Sequence, residues 1–90
     1  MLSFRTTGRF EKDFKLSLKR GKDISKLKAV MRAIVQEVPL DPRLRDHALK
    51  GKKYAERREC HIEPDWLLVY KLEPGSVVFE RTGTHSDLFK

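Results

Sequence analysis

A change of hydrophobic period near Arg57 is the sequence feature that most constrains the fold of this chain. Up to Pro39, apolar residues recur every three or four positions, whereas from Arg57 three short strand-like runs are separated by turn residues. The first spacing is typical of a helix with one buried face, and short runs bounded by turn residues are typical of strands. The sequence therefore predicts helices from its first half and most of a sheet from its second half.

The first half predicts a short strand at residues 2–5 and then a first helix. Thr6 and Thr7 carry hydroxyl groups that can cap its N-terminus. We expect the helix to run to about Arg20, because the glycine that follows, Gly21, is a common helix terminator. Its predicted buried face carries Phe10, Phe14 and Leu18.

A second helix is predicted after a short connection, so the two helices should form an antiparallel hairpin. Asp23 can cap its N-terminus and Pro39 ends it. Between them, helical spacing relates Ile24, Leu27, Met31, Ile34 and Val38.

The second half predicts an antiparallel meander of three strands. The strand-like runs are residues 57–62, 66–72 and 76–82, and the short connections between them contain Pro64 and Pro74. The faces of the last run are not assigned by alternation, and a β-bulge would resolve this. A short extra strand near residues 47–49 is also expected.

Together these elements predict one domain spanning residues 1–90, of the α+β class. We expect an N-terminal strand and a two-helix hairpin packed on one face of an antiparallel sheet. Ninety residues leave no room for a second domain.

The charge of the chain points to an anionic partner. Twenty Lys and Arg residues against thirteen Asp and Glu residues give a formal net charge of +7. Such a surface attracts nucleic acid, although an acidic protein would be attracted as well. The single cysteine, Cys60, excludes an internal disulfide bond and fits a reducing compartment. Because neither a signal peptide nor a membrane-spanning stretch is recognisable, we expect a cytoplasmic protein without a membrane partner.

The candidate chemical residues lie in the second half, around the three histidines of the chain. Alternation along residues 57–62 places His61 on the face of the sheet that the helices leave open, and places Cys60 on the covered face. The following turn brings Asp65 close to His61. Two further candidates near the end of the chain, Arg81 and His85, reach the same region if the meander is regular.

Each candidate also has an ordinary structural interpretation. His47 can be a solvated turn residue, Trp66 a core residue, and Arg81 a member of a surface ion pair. A metal site built from Cys60, His61, Asp65 and His85 is a competing use of the same side chains. Its spacing matches no zinc motif, and we expect neither a metal nor another cofactor. Glycine-rich phosphate loops and nucleophile elbows are not found in the sequence.

The remaining residue types suit metal-independent cleavage of RNA. The 2′-hydroxyl group must lose a proton to attack the adjacent phosphate, the leaving 5′-oxygen must gain one, and the added negative charge needs a cation. Histidine, carboxylate and arginine side chains can meet these three needs. An aromatic ring can stack on a base and align the attack.

Three sequence blocks then resemble the YafQ-type toxins of the RelE superfamily, which belong to bacterial type II toxin-antitoxin systems. They are residues 46–51 (DHALKG), 59–70 (ECHIEPDWLLVY) and 80–89 (ERTGTHSDLF). The resemblance extends over essentially the whole chain. It implies a compact RelE-like fold and an endoribonuclease that cleaves mRNA in the ribosomal A site. It also implies a cognate acidic antitoxin, which is expected to bind DNA.

The resemblance also implies roles for individual residues. We expect His85 to be the general acid, Asp65 or His47 the base, and Arg81 the group that stabilises the phosphorane, with His61 in support. The residues expected to bind or position RNA are Trp66, Phe89 and Lys50.

Two other functions remain open at the level of sequence. One is a non-enzymatic module that binds RNA or the ribosome, for which the positive charge would suffice. The other is a protein whose role is to form a transcriptional autorepressor complex with its antitoxin. For any antitoxin, we expect an acidic segment that folds over the His61 and His85 region, or that displaces the tail carrying Phe89.

Overall fold

The computed structural model describes residues 1–89, apart from the side chain of Lys53. Five strands form one sheet: β1 (Ser3–Thr6), β2 (His47–Ala48), β3 (Arg57–Glu63), β4 (Trp66–Glu73) and β5 (Ser76–Gly83). The α-helices are α1 (Gly8–Lys19), α2 (Ile24–Val35) and α3 (His85–Leu88), and two short 3-10 helices cover Pro42–Leu44 and Lys52–Tyr54.

The predicted α+β class is confirmed, but the sheet is mixed rather than antiparallel. Its strand order is β1-β5-β4-β3-β2, and β1 runs parallel to β5 while the other neighbours are antiparallel. The meander of β3, β4 and β5 follows the prediction because tight turns force antiparallel pairing. The hydrophobic pattern of β1 does not show whether it runs parallel or antiparallel to its neighbour β5. Most of the chain separates these two strands in sequence.

Side-chain caps fix where the first two helices begin. The Thr7 hydroxyl group accepts a hydrogen bond from the backbone N–H of Phe10, and the Asp23 carboxylate accepts one from Ser25. Each bond satisfies one of the N–H groups that the first turn of a helix leaves without a partner. Gly21 follows α1 with a positive φ of 77°.

The buried faces of the helices differ from the prediction at two positions. Leu18 is 53% exposed, and Ser17 is buried in its place, with its hydroxyl group bonded to the Asp13 carbonyl oxygen. Val38 is 51% exposed because α2 ends at Val35 and the chain turns at Glu37, whose φ is 59°. Both predictions were wrong.

The core lies between the two helices and one face of the sheet. Its largest members come from α1, α2 and the three central strands: Phe10, Leu27, Ile34, Ile62, Trp66, Leu68, Tyr70 and Phe79. The predicted faces of β3 are confirmed, since Cys60 is fully buried in this core and His61 lies on the other side of the strand.

A β-bulge in β5 resolves the faces of the last strand. Tyr70 pairs with Phe79 and Val69 pairs with Arg81, so Glu80 is the extra residue. Beyond the bulge, Arg81 therefore shares a face of the sheet with Val69 and with the strand partner of Val69, Glu59. We call this the open face, because α1 and α2 pack on the other one.

In the part of the chain that the structure describes, no helix has the length and apolar character needed to cross a membrane.

Candidate functional site

Three histidines form a row at one end of the open face, and we call them the histidine row. The ring centroids of His47 and His61 lie 6.4 Å apart, and those of His61 and His85 lie 5.8 Å apart. The ring of Phe89 is 6.4 Å from His85, and Tyr54 packs edge-on against Phe89 at 6.0 Å. The structure thus brings together residues from β2, β3, α3 and the tail.

Each imidazole of the row is oriented through its Nδ1 atom. Nδ1 lies 2.7 Å from the Arg45 carbonyl oxygen in His47, 3.4 Å from the Pro64 carbonyl oxygen in His61, and 2.8 Å from Asp65 Oδ1 in His85. Carbonyl and carboxylate oxygens can only accept, so the two short contacts favour a proton on Nδ1 of His47 and of His85. His61 instead has an acceptor 3.4 Å from each ring nitrogen, since Glu59 Oε1 lies at that distance from its Nε2.

Glu59 is a member of the site that the sequence did not single out. It is 6% exposed, and its Oε1 lies 3.4 Å from Nε2 of His61 and 3.7 Å from Nε2 of His47. Glu59 thus places a nearly buried carboxylate between the two rings, facing the Nε2 atom of each.

The sequence does predict that Glu59 lies on the same face of β3 as His61, because residues two apart on a strand share a face. Its burial was not predicted, because an acidic residue on a strand face next to histidine usually lies in solvent. Its burial depends on β2, which covers the edge of β3 by pairing His47 with Glu59.

Asp65 holds His85 with two hydrogen bonds to one oxygen. Asp65 Oδ1 accepts from the backbone N–H of His85 at 2.9 Å and from its Nδ1 at 2.8 Å. The backbone bond and then the side-chain bond lower the pKa of Asp65 below its ordinary value. Asp65 is therefore a carboxylate at neutral pH, and its position suits orientation of His85 and stabilisation of the imidazolium.

Arg81 is anchored to helix α1. Its guanidinium group donates to Asp13 through Nε at 2.7 Å and through Nη2 at 3.2 Å, and the hydrogen bond to Asp13 is the main cause of its raised pKa. Asp13 also accepts from the backbone N–H of Thr82 at 3.1 Å. Arg81 lines a concavity of about 290 Å³ together with Tyr54, Phe89 and five other residues. The ion pair with Asp13 therefore holds the positively charged guanidinium group of Arg81 beside the concavity that Phe89 also lines.

Trp66 and Lys50 lie in contrasting positions. Trp66 is 1% exposed, and its indole N–H donates to the Thr82 hydroxyl group at 3.0 Å. Its ring is part of the core and offers no free face for a base to stack on. Lys50 is exposed in the segment that follows β2, and Phe89 is 37% exposed beside the row.

Asp46 anchors the first histidine of the row from the core side. Its carboxylate accepts hydrogen bonds from the Tyr70 hydroxyl group and from Arg58, with Arg58 Nη2 at 3.2 Å. Burial is the main cause of the raised pKa of Tyr70, and its bond to Asp46 adds to it. His47, the next residue along the chain, is thereby held at the sheet edge although β2 has only two residues.

Cys60 does not join the row. It lies fully buried on the opposite face of β3, where burial raises the pKa of its thiol group to about 12. Among residues 1–89, no group of three or more histidine, cysteine, aspartate or glutamate residues is arranged to hold a metal ion.

Fold, histidine row and sequence comparison together define the class of protein. Residues 2–90 match the family described as bacterial toxin of type II toxin-antitoxin system, YafQ, and the chain belongs to this family.

Relatives of this chain include the mRNA interferase toxin YafQ of Escherichia coli K12, which is 45% identical over 84 residues, 92% of this chain and 90% of that protein. The toxin in a crystal structure of the E. coli DinJ-YafQ complex is 42% identical, with full coverage of both chains and a TM-score of 0.94. A metal-bound toxin from Helicobacter pylori is 41% identical, with coverage of 99% and 100% and a TM-score of 0.92.

Proposed function

We propose that this chain is an mRNA interferase toxin, a ribosome-dependent endoribonuclease that cleaves mRNA in the ribosomal A site. The observation that carries the proposal is the pair formed by His85 and His61. Two imidazoles lie 5.8 Å apart at the end of the open face of a basic protein, His85 with its Nδ1 on Asp65 and His61 with its Nε2 facing Glu59. The name of the E. coli relative supports the same activity.

The reaction is metal-independent acid-base catalysis. The 2′-hydroxyl group loses its proton to a base, and its oxygen forms a bond to the adjacent phosphorus. The bond from phosphorus to the 5′-oxygen breaks, and that oxygen takes a proton from an acid. The products are a 2′,3′-cyclic phosphate and a free 5′-hydroxyl group, so every proton and bond is accounted for.

His85 serves as the general acid. Its Nδ1 bond to the Asp65 carboxylate fixes the orientation of the ring, and Nε2 delivers the proton to the 5′-oxygen. Because the hydrogen bonds from His85 lower the pKa of Asp65 and so weaken it as a base, we assign the base role to His47 rather than to Asp65. His61 supports the transfer by sharing a proton with Glu59.

Arg81 stabilises the extra charge of the phosphorane, since its guanidinium group is fixed by Asp13 before RNA arrives. Phe89 offers an aromatic ring beside His85, and Lys50 an exposed cation after β2, and both position the RNA strand. Trp66 has no part in RNA contact in this proposal, because its ring is buried.

The partners are mRNA on the ribosome and a cognate acidic antitoxin, and the place of action is the bacterial cytoplasm. A toxin with a net charge of +7 and an exposed row of histidines is matched by an acidic segment that covers the His61 and His85 region. The existence of a DinJ-YafQ complex in E. coli supports such a partner. A complex that leaves the whole histidine row exposed would overturn this part.

The test is induced expression of wild type and His85→Ala in a bacterium, with mapping of mRNA 5′ ends on translating ribosomes. We expect new ends at codon positions with the wild type alone. Equal ribosome association of both proteins, measured by co-sedimentation, would show that the variant fails in chemistry rather than in binding. The same new ends from both proteins would overturn the role of His85. No new ends from the wild type would instead favour a non-enzymatic ribosome-binding module, for which the positive charge suffices.

A further inference from the structure

Helix α3 carries His85, yet it is too short to hold its own shape. It has four residues, His85–Leu88, whereas helices shorter than about 12 residues are marginal in water. Contacts with the rest of the protein must therefore determine where His85 points. Asp65 supplies one such contact from the β3–β4 turn.

The second contact is an ion pair with the far end of α1. Arg20, the C-terminal cap of α1, donates to Asp87 through Nη1 at 2.7 Å and through Nη2 at 3.3 Å. The two residues are 67 positions apart in the sequence. A bidentate pair fixes the angle between its planar groups as well as their distance.

Asp87 passes this restraint to the start of α3. Its Oδ2 also accepts from the backbone N–H of Thr84 at 2.9 Å, while its own N–H donates to the Thr84 hydroxyl group at 3.1 Å. These reciprocal bonds form a capping box, and His85 is the residue that directly follows the cap. One carboxylate therefore joins α1 to the backbone on both sides of His85.

Gly83, at the end of β5, lies directly beside the Asp87 carboxylate. A Cβ atom placed on Gly83 would lie 2.8 Å from Asp87 Oδ2, so a side chain there would displace the carboxylate from its present position. The Asp87 pKa is held well below its usual range, first by the hydrogen bond with Arg20. The pair is thus permanently charged at any pH at which the protein works.

We infer that Arg20 and Asp87 are positioning residues for the cleavage reaction, which set the direction of His85 by clamping α3 to the end of α1. This inference rests on the proposed function of His85. Neither residue is assigned a contact with RNA. Because Arg20 and Asp87 are partly solvent-exposed, their pair adds little to global stability, and its effect falls on the local geometry of α3.

Four variants test the clamp: Arg20→Ala, Asp87→Ala, Arg20→Lys and the control Arg5→Ala. Arg5 is an exposed arginine of β1 that lies 3.7 Å from Glu73, so its loss removes the same charge from a site on another edge of the sheet. Arg20→Ala lowers the net charge and Asp87→Ala raises it. If both variants cleave more slowly than the wild type, weaker electrostatic attraction to the ribosome cannot be the common cause.

The first measurement is single-turnover cleavage of a defined mRNA in the A site of purified ribosomes. We expect the maximum rate constant to fall about 10- to 100-fold in Arg20→Ala and Asp87→Ala, with the half-saturating toxin concentration changed less than threefold, because an error of about 1 Å in a catalytic group costs up to about 100-fold. Arg20→Lys should recover part of the loss, and Arg5→Ala should cleave like the wild type. Melting temperatures should stay within a few degrees of the wild type.

The second measurement needs no RNA. In a two-dimensional NMR spectrum of the imidazole C–H groups, the His85 peak should move in Arg20→Ala while the His47 peak stays in place. Wild-type cleavage by Arg20→Ala, or an unmoved His85 peak, would overturn the inference. If His85→Ala cleaves normally in the same assay, the role of His85 fails instead, which separates the two proposals.

Discussion

Tyr70 donates a hydrogen bond to Asp46, across 24 residues of sequence, and so ties the core of the sheet to the residue that precedes His47. Arg58, the strand neighbour of Tyr70, binds the same carboxylate from its own side. The short edge strand β2 is therefore fixed mainly by side chains. Its two residues pair with Glu59 and Arg58 but offer few backbone bonds.

Tyr70→Phe should loosen this edge without emptying the core. The variant loses one hydrogen bond to a charged group, so we expect the free energy of unfolding to fall by about 1.5 to 3 kcal/mol. Cleavage should fall by more than the decrease in folded protein accounts for, because Asp46 no longer fixes the position of His47. Urea unfolding and the ribosome cleavage assay measure the two effects. Unchanged cleavage at a temperature where the variant is fully folded would contradict a role for this tie.

Glu59→Gln should separate the charge of this side chain from its structural role. An amide has nearly the shape of a carboxylate, so the free energy of unfolding should change by less than about 1 kcal/mol. Cleavage should fall about 10- to 100-fold, because the negative charge that faces Nε2 of His61 and of His47 is lost. Urea unfolding and the ribosome cleavage assay measure the two effects. Wild-type cleavage by the folded variant would show that Glu59 takes no part in the reaction.

Asp65→Asn should remove part of the acid sensitivity of the fold. The bonds from His85 lower the pKa of Asp65 in the folded state, so the ionised carboxylate stabilises the protein above its unfolded-state pKa. That contribution is lost as the pH falls through the lower, folded-state pKa. We expect the stability advantage of the wild type over Asp65→Asn to be constant above about pH 5 and to shrink below it. Urea unfolding at a series of pH values checks this, and a constant advantage down to about pH 2 would contradict it.

Trp66→Phe distinguishes a core residue from an RNA-stacking residue. The smaller ring leaves a cavity and removes the hydrogen bond to Thr82, so unfolding should become easier by about 2 to 4 kcal/mol. Ribosome cleavage at a temperature well below melting should stay within about threefold of the wild type, far less than the loss of a stacked base would cause. A loss of cleavage of more than tenfold in a folded variant would indicate that Trp66 contacts RNA.

Local sequence signals predicted the elements of the fold because each depends on near neighbours. The Thr7 and Asp23 caps, the two tight turns of the meander and the opposite faces of Cys60 and His61 all follow from residues a few positions apart. The exposed Leu18 was mispredicted because a helix pattern gives a face, whereas burial depends on what packs against that face.

Contacts between distant parts of the chain could not be predicted from local sequence patterns. The parallel pairing of β1, the anchoring of Arg81 by Asp13 and the burial of Glu59 each join parts of the chain that are distant or that depend on β2. For Trp66, the pattern allowed both a core role and an RNA role, and its hydrogen bond with Thr82 places it in the core. The histidine row and Asp65 were predicted as a group, whereas the place of Glu59 in the site was not.

The pairing of β1 with β5 has a consequence for how the protein is made. β1 is synthesised before the other strands of the sheet, yet its neighbour is β5, the last of them, since Ser3 pairs with Ser76 and Thr6 with Phe79. Until β5 has been synthesised, β1 has no place in the sheet, and α1 lacks the strand on which it packs. A growing chain therefore completes this sheet only after β5 has left the ribosome, and a product truncated before residue 76 leaves β1 without a partner.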